Sequence, residues 1–102
     1  MAFSEDVKDV FGYALHLAQH GEKHFNAKPL KGFRGAKTLE VVEDHQGDTY
    51  RAVYTVKFEG YVFVLHCFQK KSKKGIATPK PDIDKIRARL KDAELLHQEL
   101  SR

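Results

Sequence analysis

The sequence lacks most of the residues and segments that characterise secreted, membrane-bound or multi-domain proteins. Its 102 residues include a single cysteine, so an internal disulfide is excluded and a reducing compartment is expected. No apolar run approaches the roughly 18–20 residues of a membrane span, and the N-terminus lacks the charged-then-apolar pattern of a signal peptide. The hydrophobic content of 41% and charged content of 31% are typical of a folded, soluble chain. We therefore expect one cytoplasmic domain over residues 1–102, since domains commonly have about 100–150 residues.

Positive charge is concentrated in one short part of the chain. Residues 70–91 contain nine lysines and arginines and two aspartates, a net charge of +7, whereas the whole chain carries +4. Such a block attracts polyanions, and RNA or a ribosome surface is the commonest polyanion of the cytoplasm. The alternative is a solvated loop and helix face that only keeps the protein soluble.

Hydrophobic periodicity predicts a helix near each end of the chain. Apolar residues at helical spacing, between the candidate cap Ser4 and the stop signal Gly21, predict a helix over residues 5–20. Asp82 is the candidate cap of the second helix, and six residues are predicted to form its inward stripe: Ile83, Ile86, Leu90, Ala93, His97 and Leu100. Residues 21–37 are rich in glycine, lysine and proline and are interpreted as a connection.

Three strands are predicted between the two helices. They cover residues 38–44, 49–58 and 61–68. Short turns join them, and a two-residue hairpin signal lies at residues 59–60. The predicted fold class is α+β, with an N-terminal helix, an antiparallel meander of three or four strands and a C-terminal helix.

The second predicted strand places an arginine close to a lysine-rich loop. Arg51 and Lys57 are expected on the strand face opposite Tyr54 and Phe58, and this face is expected to be open. The loop begins where the next strand ends and carries four lysines: Lys70, Lys71, Lys73 and Lys74. We therefore expect Arg51 and the loop to converge on one concave, positively charged surface.

A basic surface of this kind can bind RNA and cleave it. Cations stabilise the negative charge that develops on a phosphodiester, and the RNA supplies its own nucleophile in the 2′-hydroxyl. No metal ion is required, but a base must take the 2′-hydroxyl proton and an acid must protonate the leaving oxygen. A lysine among other cations has a lowered pKa and suits either role. A phosphate-binding face without chemistry is the alternative.

Two other groups of residues are weaker candidates for a site. His16 and His20 lie one helical turn apart, but no neighbouring residue completes a metal-ligand set, so an exposed pair without a metal is expected. Cys67 is expected to be a buried small hydrophobe, on the opposite strand face from His66. His66 itself is expected either to be a hydrogen-bonded core histidine or to line the edge of a site.

Several segments resemble a known family. They are residues 12–19, 28–32, 50–54 and 62–74, followed by Thr78-Pro79, and the His-Cys-Phe-Gln-Lys-Lys-Ser run within them is the most specific. Together, over about residues 3–90, they resemble the RelE/ParE superfamily, and most closely the phage-derived HigB-like toxins of type II toxin–antitoxin modules. That family usually opens with a strand and a short helix, whereas this chain begins almost at the first long helix, so a sheet lacking the first strand is one expected form.

The resemblance implies a ribosome-dependent mRNA endonuclease that uses neither a metal nor another cofactor. It also implies a helix-turn-helix antitoxin that silences the toxin and brings it into an oligomeric complex. By position, Arg51 matches the arginine that contacts the scissile phosphate, and Lys70 and Lys71 match basic residues after the next strand. These three are the expected catalytic residues. Three lysines are expected to bind RNA phosphates (Lys57, Lys73 and Lys74), and two histidines are alternative acids or bases (His45 and His66).

Two alternatives to nuclease activity remain open at this point. ParE-like members of the superfamily act on DNA gyrase by protein binding, and a remnant could bind its antitoxin without cleaving RNA. Residues 39–44 contain carboxylates where many relatives have lysine or arginine, and no aromatic residue near Ile76 matches the one that stacks on a base in some relatives. Both departures favour the alternatives.

Overall fold

Two helices pack on opposite faces of a four-stranded antiparallel sheet. The computed structural model describes residues 3–33, 35, 37–70 and 78–101. The elements in chain order are α1 (Glu5–Gln19), β1 (Ala27–Pro29), β2 (Thr38–His45), β3 (Asp48–Thr55), β4 (Phe63–Lys70) and α2 (Lys80–Leu100). The strand order is β1-β2-β3-β4, so each strand pairs with its neighbour in the chain. The predicted α+β meander is confirmed.

The first helix forms where its periodicity predicts it. The side chain of Ser4 accepts a hydrogen bond from the backbone N–H of Val7 at 3.3 Å, and acidic residues occupy the first turn, where the helix dipole favours negative charge. Four residues at helical spacing are buried against the sheet: Val7, Phe11, Ala14 and Ala18. The predicted C-terminal boundary differs from the observed one by a single residue.

The interpretation of residues 21–37 as a connection is wrong at one point, because β1 lies within it. Ala27 pairs with Val41 and Pro29 pairs with Leu39, which places β1 at the edge of the sheet. Proline is tolerated at an edge because its missing N–H breaks no internal ladder. A strand of three residues is too short to show a period, so only the pairing partner in β2 reveals it.

The strand boundaries follow the turns. Gln46 and Gly47 connect β2 to β3 with positive φ angles of 51° and 85°, the conformation that suits the right-handed twist of a hairpin. β3 ends at Thr55 rather than at Phe58, and β4 covers 63–70 rather than 61–68. The prediction that Phe58 shares a face with Tyr54 is wrong, because regular alternation stops at Thr55 and the two rings lie in different cores.

Each face of the sheet has its own core. The α1 side contains residues from α1 and the inward positions of the strands: Val7, Phe11, Ala14, Ala18, Ala27, Leu39, Val41, Tyr50, Ala52 and Tyr54. The α2 side contains Leu30, Val53, Phe58, Leu65, Phe68, Ile86 and Ala93. Arg51, next to Ala52 and Val53 in β3, therefore belongs to the side covered by α2.

The second helix differs from its prediction at both ends. It begins at Lys80 with Pro79 as the N-cap residue, and Asp82 lies inside the first turn instead of capping it. Ile86 and Ala93 are buried as predicted, but Leu100 is 51% exposed, because the inward stripe ends before the last turn. Asp82 is consequently available for a contact with the sheet.

Candidate functional site

Arg51 lies in the interior, in contrast to the open face predicted for it. Only 8% of the residue is exposed, because α2 and the residues that lead into it cover this side of the sheet. Its Nη1 atom donates to Oε2 of Glu40 and to Oγ1 of Thr78, both at 3.3 Å. The guanidinium is therefore held between β2 and the start of α2.

Glu40 lies between two cations, Arg51 and Lys28, and the three form a charge cluster. The sequence interpretation missed the role of Glu40 in it. It is 6% exposed, and its second oxygen, Oε1, lies 3.8 Å from Nζ of Lys28, the residue directly opposite on β1. A buried carboxylate is costly unless opposite charges compensate it, and here two cations do so. The available signal was an acid within an apolar strand, but its partner Lys28 becomes visible only once β1 is known.

His66 forms a second polar cluster on the same side of the sheet. In β4 it pairs with Val53, two residues from Arg51 on β3. Its Nε2 atom lies 2.8 Å from Oδ1 of Asp82, and its Nδ1 atom lies 3.1 Å from Nη1 of Arg89. Of the two roles expected for His66, the structure shows the hydrogen-bonded one.

The lysines predicted for the site lie only partly within the described residues. The backbone of Lys70 pairs with Thr49 at the end of β4, and its side chain lies outside the described part of the structure. Lys71, Lys73 and Lys74 also lie outside it. Thr78, the next described residue, contacts Arg51. The convergence of these lysines with Arg51 stays a prediction.

Lys57 and His45 lie away from Arg51. Lys57 is exposed beyond the end of β3, with its Nζ 5.7 Å from the centre of the Phe58 ring. Four strand residues separate Arg51 from the end of β3, about 13 Å at the usual rise. His45 pairs with Asp48 beside the β2–β3 turn. Neither residue is brought next to the guanidinium.

Cys67 is exposed, not buried as predicted, because it lies on an edge strand that contributes no residue to the α1-side core. Its partner across the ladder is Ala52, whereas the partner of His66 is Val53, so the two neighbours point to opposite faces. Desolvation by surrounding atoms raises the pKa of the Cys67 thiol, and the positive charge of Arg89 opposes this effect. A protonated thiol is a weak nucleophile, which argues against a role in covalent catalysis.

The remaining histidine pair is exposed as predicted. The ring centres of His16 and His20 are 4.5 Å apart on the outer side of α1. Within the described ranges, no group of three or more histidine, cysteine, aspartate or glutamate residues is arranged to hold a metal ion. The described helices also include none that is long and apolar enough to cross a membrane.

The fold and the cluster define a small α+β protein whose central strand carries a buried, ion-paired arginine. Comparison with protein families agrees with this class: the model of the family described as Phage derived protein Gp49-like (DUF891) matches residues 1–91. The chain belongs to this family, which is a RelE/ParE-like toxin family. The expected superfamily is thereby confirmed, while closeness to HigB stays a prediction. No curated protein and no solved structure matches the chain.

Proposed function

We propose that this protein is the toxin of a toxin–antitoxin module and that it cleaves mRNA on the ribosome without a metal ion. Its family supports a toxin with an antitoxin partner, which we expect to be a helix-turn-helix protein. The single observation that carries the nuclease proposal is the fixed position of Arg51, the residue that matches the phosphate-binding arginine of related toxins.

A fixed guanidinium suits transition-state stabilisation. Glu40 and Thr78 orient Arg51 before any substrate binds, so little reorganisation is required during the reaction. A phosphate can contact this arginine by exchanging with the hydroxyl of Thr78, because an uncharged hydroxyl is a weaker partner than a carboxylate. The Glu40 contact then keeps the guanidinium in place.

The proposed reaction is an internal transfer within the RNA. The 2′-oxygen attacks phosphorus, the bond to the 5′-oxygen breaks, and the products are a 2′,3′-cyclic phosphate and a 5′-hydroxyl. Arg51 stabilises the additional negative charge on the phosphoryl oxygens. We assign the transfer of protons from the 2′-hydroxyl and to the 5′-oxygen to Lys70 and Lys71.

The other predicted lysines are assigned to RNA binding. Lys73 and Lys74 belong to the segment between Lys70 and Thr78, and the described residues that flank this segment lie beside Thr49 and Arg51. That placement supports contacts from the segment to the phosphates on either side of the cleaved bond. Lys57 is assigned to a more distant phosphate. His45 remains an alternative acid or base at the hairpin end.

Replacing Arg51 tests the proposal. Arg51→Ala leaves the buried Glu40 with one fewer partner and can unfold the protein, so the sharper variant is Arg51→Gln combined with Glu40→Gln, which keeps a neutral hydrogen-bonding pair. Loss of one preorganised donor costs roughly 10²–10³-fold in rate. We expect cleavage of mRNA on purified ribosomes to fall by about that factor.

The matched control is Arg87→Ala on the exposed side of α2, where the arginine packs on Phe33. It removes one arginine from the protein but leaves the Arg51 cluster unchanged. Full cleavage by the folded Arg51→Gln/Glu40→Gln protein would show that Arg51 is not part of the catalytic site.

One observation favours a second candidate function. The buried Glu40 compensates the positive charge of Arg51, as would suit a protein that binds its antitoxin or another protein target without cleaving RNA. Two binding measurements separate the candidates: pull-down of gyrase is expected for the protein-binding toxin, and co-sedimentation with ribosomes for the nuclease. An inactive remnant would bind antitoxin and produce no cleaved RNA.

A further inference from the structure

His66 joins the sheet to the start of α2. Its side chain is about 10% exposed, lies 4.7 Å from the Phe68 ring and is stacked on it. Asp82 in the first turn of α2 contacts one ring nitrogen, and Arg89 two turns later contacts the other. Arg89 also donates to the backbone carbonyl of Leu65 at 2.9 Å. Three side chains therefore connect one strand position to the first half of the helix.

The contacts determine the position of the imidazole proton. An arginine has donors and no acceptor, so Nδ1 of His66 must accept the hydrogen bond from Arg89. Nε2 then carries the proton and donates to Asp82, whose carboxylate only accepts. His66 is thus held as the neutral Nε2–H tautomer. Both nitrogens are engaged, which disfavours the general acid or base role considered for this residue.

The anchored turn is continuous with the residue that contacts Arg51. The backbone N–H groups of Asp82 and Ile83 both donate to the carbonyl of Pro79 at 3.0 Å. Thr78 immediately precedes that proline, and its hydroxyl accepts from Arg51. The contact between His66 and Asp82 therefore fixes the turn that presents Thr78 to the guanidinium.

We propose that His66 and Asp82 are positioning residues that hold Thr78, and through it Arg51, in the geometry needed for phosphate binding and cleavage. The proposal rests on the proposed nuclease function for its catalytic consequence. The coupling between the two clusters does not depend on that function, since it is a property of the folded chain.

The first measurement is the tautomer of His66 in the ¹⁵N-labelled full chain. We expect Nδ1 to resonate as an unprotonated nitrogen and Nε2 as a protonated one at neutral pH. An unprotonated Nε2 would overturn the proposal, because this nitrogen could not then donate to Asp82.

The second measurement compares two aspartates of the same helix. Asp82→Ala removes the contact with His66, whereas Asp84→Ala removes an equal charge from an exposed pair with Lys80. We expect Asp82→Ala, and not Asp84→Ala, to lower the hydrogen-exchange protection of amides in the first turns of α2. The Nε–H resonance of Arg51 should shift in the same variant only. Equal behaviour of the two variants would overturn the proposal.

Conservative variants separate positioning from general stability. Asp82→Asn keeps an acceptor for the His66 proton, and His66→Gln keeps a donor near Asp82, so both should retain the Arg51 resonance. For cleavage on ribosomes, Asp82→Ala should lower kcat about tenfold to a hundredfold with little change in KM, and Asp82→Asn should restore most of it. A folded Asp82→Asn protein as impaired as Asp82→Ala would overturn the positioning role.

The two proposals fail in different ways. If the wild-type protein cleaves no RNA, the nuclease function is wrong, and the tautomer and the Arg51 resonance still decide the coupling. If cleavage occurs and Asp82→Ala has the activity and spectrum of the Asp84→Ala protein, the positioning role alone is wrong.

Discussion

The hydroxyl of Tyr54 is buried without a hydrogen-bond partner among the described residues. The ring lies in the α1-side core and is fully buried, and burial raises the pKa of the phenol above its ordinary value of 10.0. An unpartnered buried polar group lowers stability, because it loses its water contacts and gains nothing in return.

Tyr54→Phe removes this hydroxyl and keeps the packing of the ring. We expect the variant to unfold at the same denaturant concentration as the wild type or at a higher one. If the full desolvation cost is recovered, its free energy of unfolding rises by up to about 1–3 kcal/mol. Chemical denaturation measures the difference. The control is Tyr13→Phe, where the hydroxyl is on an exposed side chain, and a marked loss of stability in Tyr54→Phe would show that the hydroxyl has a partner.

The pKa of Tyr54 also predicts a pH dependence. Because the folded-state pKa is raised, the unfolded chain loses this proton first, so the contribution to stability is complete below about pH 10 and declines as the pH rises further. Unfolding curves measured across this alkaline range should show that the free energy of unfolding declines less with pH in Tyr54→Phe than in the wild type. Identical slopes in the two proteins would contradict it.

At the scale of elements, the two glycines of contrasting conformation allow a prediction with opposite signs. Gly12 lies inside α1 and Gly47 adopts a φ of 85° in the β2–β3 turn, and neither has an atom within 4 Å of an added Cβ. Space is thus equal at the two positions, and only the backbone conformation differs.

Gly12→Ala should stabilise the protein by about 0.5–1 kcal/mol, because alanine loses less conformational entropy in a helix. Gly47→Ala should destabilise it by roughly 1–2 kcal/mol, because an L-residue is strained at positive φ. Thermal unfolding of both variants checks the signs. Two shifts in the same direction would show that steric space, not backbone conformation, governs these positions.

The elements also show how far sequence patterns reach. The helix at residues 5–19 carries its period, its cap and its stop within its own sequence, so its bounds could be predicted. β1 could not, because three residues have no period and their pairing with β2 is decided by tertiary structure. The role of Asp82 could not be predicted either, because its contact with His66, in place of a capping contact in α2, depends on the position of β4.

For the molecule as a whole, the placement of Arg51 is the main difference from the sequence interpretation. Strand alternation correctly assigned it to the face opposite Tyr54, but whether that face is open depends on a helix that begins 29 residues later. Burial requires a counter-charge, and Glu40 provides it. The acidic residues that appeared to weaken the likeness to RNA-cleaving relatives thus include the partner of the arginine.

The distribution of charge leads to a prediction for RNA binding. If the segment rich in lysine contacts about four phosphates of single-stranded RNA, the logarithm of the affinity should fall with the logarithm of salt concentration with a slope near −3. Filter binding or fluorescence anisotropy between low and moderate salt measures it. A slope near zero would exclude these lysines as the RNA contacts.

The order of the elements along the chain bears on how the protein is synthesised. Every strand pairs with the preceding one, so the meander can form as it leaves the ribosome, without waiting for distant segments. Thr78, Asp82 and the rest of α2 emerge last, and they complete the surroundings of the arginine. The contact between Arg51 and Thr78 therefore forms only after nearly the whole chain has been synthesised.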